Sequence, residues 1–170
     1  MTDFSSLGLS GSILKVLPEL GIEKPTEIQE KTIPFLLENQ SDFIGLAQTG
    51  TGKTAAFGLP LLQNVDSDLK NVQALVLAPT RELCQQIENQ LSLFSKYTSG
   101  INTTAVFGGA NIMGQIKELR RTNQIVVATP GRLIDLAKRK AIRLDQIEYL
   151  VLDEADEMLN MGFKDELDEI

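Results

Sequence analysis

The chain has 170 residues, 42% hydrophobic and 23% charged, which suits one soluble globular domain with a sizeable core. No apolar run is long enough to span a membrane, no basic region precedes an apolar stretch at the N-terminus, and a single cysteine excludes an internal disulfide. The formal net charge of −7 is unevenly spread: residues 151–170 hold eight acids and one base, while residues 117–143 hold eight bases and two acids. An acidic total therefore does not exclude a nucleic-acid surface. Cys84 reads as a small buried hydrophobe in a reducing compartment, so a cytoplasmic setting without membrane attachment is expected.

Helical periodicity covers residues 12–20 and 26–37. The apolar run 42–47 reads as a buried parallel strand, followed by a Gly-rich turn and a helix over 53–63. Residues 64–71 form a polar surface loop. Strands are then predicted at 73–78, 103–107, 124–128 and 149–152, alternating with helices at 82–97, 111–121 and 132–139. A last helix starts near Glu154. This alternation predicts an α/β fold: an open, mainly parallel sheet with helices on both faces. Ligands of such sheets bind beyond the carboxyl ends of the strands, and every motif below follows one of those ends.

Two segments carry the chemistry. Ala47-Gln48-Thr49-Gly50-Thr51-Gly52-Lys53-Thr54 is a Gly-rich turn that opens a helix. Its glycines permit a sharp turn and bring N–H groups close to phosphate oxygens. Lys53 supplies a point charge for the β/γ-phosphates, and the Thr54 hydroxyl suits Mg²⁺. Ala47 stands where the strict P-loop pattern has glycine. Val151-Leu152-Asp153-Glu154-Ala155-Asp156 is an apolar strand ending in carboxylates. Asp153 is the expected second holder of Mg²⁺, and Glu154 is placed to orient or deprotonate an attacking water. Either segment alone has a bland explanation, as a common turn or a dipole-complementing helix start. The two in this order predict a nucleoside-triphosphate hydrolysis site.

With these segments in place, the chain resembles the DEAD-box family of ATP-dependent RNA helicases, in its first RecA-like domain, from Phe4 to Ile170. Gly21-Ile22-Glu23-Lys24-Pro25-Thr26-Glu27-Ile28-Gln29 resembles the family's adenine-reading motif. The resemblance implies that Gln29 pairs with the adenine edge and that Phe4 stacks on the base. A carboxamide does match the N6/N7 pattern of adenine; on residue type alone, Gln29 would be an exposed helix residue and Phe4 a core anchor. Lys53 of the glycine-rich turn and Asp153, Glu154 and Asp156 of the acidic motif are the implied catalytic group. Pro79-Thr80-Arg81, Gly108-Gly109 and Thr129-Pro130-Gly131-Arg132 resemble the family's RNA-contact motifs. Their hydroxyls, helix N-terminal N–H groups and guanidinium ions suit phosphate oxygens and carry no base information. Helix capping by Thr80 and Thr129 is compatible with that role. With seven Phe, two Tyr and no Trp, a base-stacking platform is not favoured, so sequence-tolerant contact to the RNA backbone is expected.

The resemblance further implies a strand ending in Ser-Ala-Thr, lying between the phosphate-loop and acidic strands. It also implies a second RecA-like domain that contributes arginines to the γ-phosphate and the other half of the RNA cleft. Neither occurs in this sequence. The expectation is an incomplete N-terminal RecA-like domain over residues 1–170, lacking its last strands. It would be the ATP- and RNA-binding half of a helicase that couples ATP hydrolysis to duplex unwinding or ribonucleoprotein remodelling, with no unwinding activity by itself. Two other readings compete. One is a module that holds nucleotide or RNA without turnover, and the missing second domain decides between it and the helicase part. A P-loop ATPase acting on DNA or protein would not need Gln29, Phe4 or the segment 129–132.

Overall fold

The computed structural model describes residues 2–39, 41–48 and 50–170. Backbone contacts divide them into two units, one running to Asp66 and including Gln90–Gly100, the other formed by Ser67–Asn89 and Ile101–Ile170.

In the first unit a 3-10 turn (Phe4–Leu7) is followed by α1 (Gly11–Glu19), α2 (Glu27–Glu38) and α3 (Lys53–Asn64). Ile13, Val16 and Leu17 of α1 repeat at helical spacing and are fully buried. α2 packs along α3, whose Ala55, Ala56, Leu59 and Leu62 fill the core. Gly58 is needed for close approach: a Cβ there would lie 2.8 Å from Leu91 Cδ2. The helix expected over 82–97 stops at Phe94. Beyond it, Lys96 and the Tyr97 hydroxyl each donate to the Glu19 carboxylate at 2.6 Å. Those bonds, Lys96 first, hold the Glu19 carboxyl below its usual range.

One expected strand does not form. Residues 42–47 form neither helix nor strand and have no ladder partner among the described residues, and Ile44 and Leu46 are 87% and 92% exposed. An apolar run becomes a strand only when a neighbour satisfies its backbone N–H and C=O groups.

The second unit contains β1 (Ala74–Leu77), the first part of α4 (Arg81–Phe94), β2 (Thr103–Val106), α5 (Ile112–Leu119), β3 (Ile125–Ala128), α6 (Pro130–Lys138), β4 (Tyr149–Leu152), α7 (Ala155–Asn160) and α8 (Lys164–Glu169). The four strands form a wholly parallel sheet in the order β2-β3-β1-β4. The central strands β1 and β3 are buried at every position, as their uninterrupted apolar sequences require. β4 is an edge strand and leaves Leu150 and Leu152 exposed. Leu75, Leu77, Val126 and Ala128 share a core with Leu133 and Leu136 of α6 and Met158 of α7. Buried Gln124 joins the strand entries: its side-chain oxygen accepts from Asn102 N at 2.9 Å and its amide donates to Leu69 O at 2.8 Å. The single terminal helix expected from Glu154 is two, because Gly162 at φ +87° takes the left-handed conformation that ends α7.

Cys84 is fully buried on α4, and that burial pushes its thiol up to about 12. The native chain should therefore resist iodoacetamide at mildly alkaline pH and react readily in denaturant. Equal rates in the two states would contradict this placement. Among the described residues no helix is long and apolar enough to cross a membrane.

Candidate functional site

In the first unit the phosphate-loop candidates sit at the start of α3. Gly50 and Gly52 adopt φ +82° and +87°, a region open to glycine at little cost. Gly52 is the N-cap of α3, with no side chain capping the helix, and Lys53 and Thr54 form its first turn. Uncapped first-turn N–H groups and the positive end of the helix dipole suit an anion. Ala47 is half-buried and Gln48 exposed; Thr51 Oγ1 donates to Gln48 O at 2.7 Å. Thr49 lies outside the described residues.

Gln29 is only 3% exposed, and both ends of its carboxamide are engaged. Its oxygen accepts from Thr26 N at 3.0 Å, and its amide donates to Gly52 O at 3.1 Å. Thr26 Oγ1 adds a bond to Thr51 O at 2.9 Å. The start of α2 is thus tied to the phosphate loop, and a Cβ on Gly52 would lie 2.3 Å from Gln29 Nε2. Phe4 is 3% exposed and belongs to the core of this unit.

In the second unit the acidic motif follows β4. Asp153 is buried; its N–H continues the sheet by donating to Leu77 O at 2.9 Å, and its Oδ1 accepts from Glu154 N at 3.1 Å. Glu154 has φ +53°, an uncommon and costly conformation for a non-glycine residue, of the kind that clusters at functional sites. Asp156 is exposed in the first turn of α7. Among the described residues, no group of three or more His, Cys, Asp or Glu side chains could hold a metal by itself. Mg²⁺ binds through few protein oxygens, substrate phosphates and water, and the Thr54 hydroxyl in the first unit and the Asp153 carboxylate in the second are each ligands of that type.

Three strand ends of the second unit open onto one cleft of about 450 Å³. Pro79 and Arg81 come from the end of β1, Gly108 from the end of β2, and Thr129, Gly131 and Arg132 from the end of β3. Thr80 Oγ1 accepts from Leu83 N at 3.2 Å, capping α4. Arg81 is exposed with its guanidinium 5.2 Å from the Phe107 ring centroid, a cation–π contact that steadies it. Gly108 N donates to Thr129 Oγ1 at 3.4 Å, and Gly109 has φ +78°. Pro130 opens α6 at its first position. Arg132 is half-buried and directs its guanidinium to Ala110 O and Gln115 Oε1.

Sequence reasoning missed Asp135 and Phe163, which complete the cleft. Phe163 stands beside Gly162, so a helix break was the available signal. The basic stretch is also less free than its sequence suggests. Arg121, Lys138, Arg139 and Arg143 pair with Glu118, Glu169, Asp135 and Asp145; of the two cations that line the cleft, Arg81 is exposed and Arg132 half-buried.

The second unit, a wholly parallel sheet with helices between its strands and the carboxylate motif at the end of β4, has the architecture of a RecA-like α/β domain. A DEAD/DEAH box helicase family model matches residues 26–170, and the chain belongs to that family. It is 53% identical over its whole length to the ATP-dependent RNA helicase CshA of Listeria monocytogenes, of which it spans 32%. The crystal structure of a DEAD box protein from Methanococcus jannaschii superposes with a TM-score of 0.93 at 40% identity, over 99% of this chain and 46% of that one. Dbp5 of S. cerevisiae bound to RNA and ADP BeF3 gives a TM-score of 0.87 at 37% identity, over 98% and 42%. The chain thus spans about a third of the length of that curated relative.

Proposed function

We propose that the chain is the ATP-binding and RNA-backbone-binding part of an ATP-dependent RNA helicase that couples hydrolysis to duplex unwinding or ribonucleoprotein remodelling. Residues 1–170 would belong to its N-terminal RecA-like domain, with adenine read within residues 4–29 and a second RecA-like domain as partner, in a cytoplasmic setting. The observation that carries the proposal is the gathering of Pro79, Arg81, Gly108, Thr129, Gly131 and Arg132 around one cleft. Hydroxyl, backbone N–H and guanidinium donors from three strand ends make a surface for phosphate oxygens. The helicase name of the Listeria relative and the RNA bound by Dbp5 support the same reading.

For the nucleotide, the roles follow the chemistry of each side chain. The backbone from Gly50 to Thr54 cradles phosphate, and Lys53 neutralises its charge. Gln29 pairs with adenine; since its carboxamide also holds Thr26 and Gly52, base and phosphate recognition share one side chain. Phe4 stacks on the base. Thr54 and Asp153 are the residues that would hold Mg²⁺, which would supply positive charge against the phosphates. Glu154 takes the proton of the attacking water, and Asp156 stands one turn further along the same motif.

RNA binding through this cleft should be sequence-tolerant and should weaken steeply with salt. Arg81→Ala should weaken binding to oligouridylate and oligoadenylate alike and lower the slope of log K against log salt by about 1. Fluorescence anisotropy across a salt series measures both. A marked preference for one base, or a slope that Arg81→Ala does not change, would contradict the proposal.

A further inference from the structure

A buried amide lies beneath the glycine turn of the second unit. Gln115, on α5, is only 9% exposed, yet every polar atom of its side chain group has a partner. Its Nε2 donates to Phe107 O at 3.1 Å, and its Oε1 accepts from Arg132 Nη1 at 2.7 Å. Arg132 Nη1 and Nη2 each reach Ala110 O at 3.2 Å. Phe107 and Ala110 flank Gly108 and Gly109. The turn is therefore held on both sides by one connected network, and the left-handed φ of Gly109 is fixed within it. A guanidinium that makes these contacts is aimed at protein carbonyl and amide oxygens. The exposed cation of the cleft is Arg81 instead.

We propose that Gln115 is a positioning residue for the RNA grip: through Arg132 and the Phe107 carbonyl it holds the Gly108–Gly109 backbone in its binding conformation. The inference rests on the RNA reading above. Gln115 touches no ligand itself. Deleting its polar groups leaves the Arg132 fork without one acceptor and the Phe107 carbonyl without its donor, in a buried setting where unpaired groups are costly. The turn then relaxes, and backbone N–H groups that suit phosphate lose their alignment.

The test is affinity for a short fluorescein-labelled oligouridylate, read by anisotropy, alongside the amide resonances of Gly108 and Gly109 and a parallel ATP titration. Gln115→Met should weaken RNA binding about tenfold, the effect of roughly one lost buried hydrogen bond. It should shift the two glycine resonances in the RNA-free chain and leave ATP binding unchanged. Gln115→Glu keeps the acceptor for Arg132 and should recover part of the affinity. Should the Met variant fail to fold, Gln115→Glu decides: reduced affinity with shifted glycine resonances supports the proposal, and parent-like values overturn it. Unchanged or tighter RNA binding by Gln115→Met, with Arg81→Ala weakened, would overturn the proposal and leave the cleft reading intact. Unchanged binding in both Gln115→Met and Arg81→Ala would sink the cleft reading itself. A loss shared by ATP binding and not relieved by Glu would mark general destabilisation and also overturn it.

Discussion

Glu154→Gln, introduced into a full-length protein containing this chain, is expected to leave ATP affinity unchanged and to slow hydrolysis by about 10²–10⁴-fold. The substitution keeps size and hydrogen-bonding shape but removes the ability to take a proton. Glu154 already bears a left-handed backbone at φ +53°, a cost that glutamine shares, so the local geometry has no reason to change. The anchoring bond is from its own N–H to Asp153 Oδ1 and does not involve the substituted side chain. Phosphate release and equilibrium nucleotide binding, measured on the same variant, separate the two effects. Hydrolysis at the parent rate would mean that another group activates the water.

Gly52→Ala should be nearly as damaging, but at the binding step. An added methyl would lie 2.3 Å from Gln29 Nε2, and the residue sits at φ +87°. The left-handed conformation alone costs an alanine roughly 1–2 kcal/mol. The collision further forces either the loop or Gln29 to move, and both break the bond from Gln29 to Gly52 O. A loss of nucleotide affinity greater than about tenfold is expected. Gly50→Ala is the matched control: φ is similar at +82°, but nothing lies within 4 Å of the new Cβ. It should carry the conformational cost alone. Calorimetric titration of both variants with ATP tests the difference, and equal losses would show that the Gln29 contact is immaterial.

The two glycines also show where sequence reading reaches its limit. That the segment is a glycine turn opening a helix is legible in its spacing; that Gly52 and not Gly50 abuts Gln29 is a tertiary fact. β1 and β3 were legible because a parallel strand covered on both faces is apolar at every position. The same apolar signature over residues 42–47 did not give a strand, since composition does not report whether a neighbour supplies the ladder. The last helix read as one because its acidic pattern continues through Gly162, and a glycine inside a helical pattern does not by itself announce a left-handed stop. At the cleft, Pro79, Arg81, Gly108, Thr129, Gly131 and Arg132 were legible through the family resemblance, and they line one cavity. Gln115 was not, because a polar residue at helical spacing ordinarily faces solvent; only its burial and three-way network mark it. The adenine role of Gln29 is an expectation from the resemblance; residue type alone makes it an exposed helix residue, whereas it is buried and bonded to Gly52 O.

The most direct measurement of the central claim is a titration of the chain with ATP and with GTP in the presence of Mg²⁺, followed by backbone amide NMR. The account predicts that ATP shifts the resonances of Gln29, Gly50, Gly52, Lys53 and Thr54 at lower concentration than GTP does, even if binding is weak. Matching responses to ATP and GTP, or no response at these residues, would contradict it.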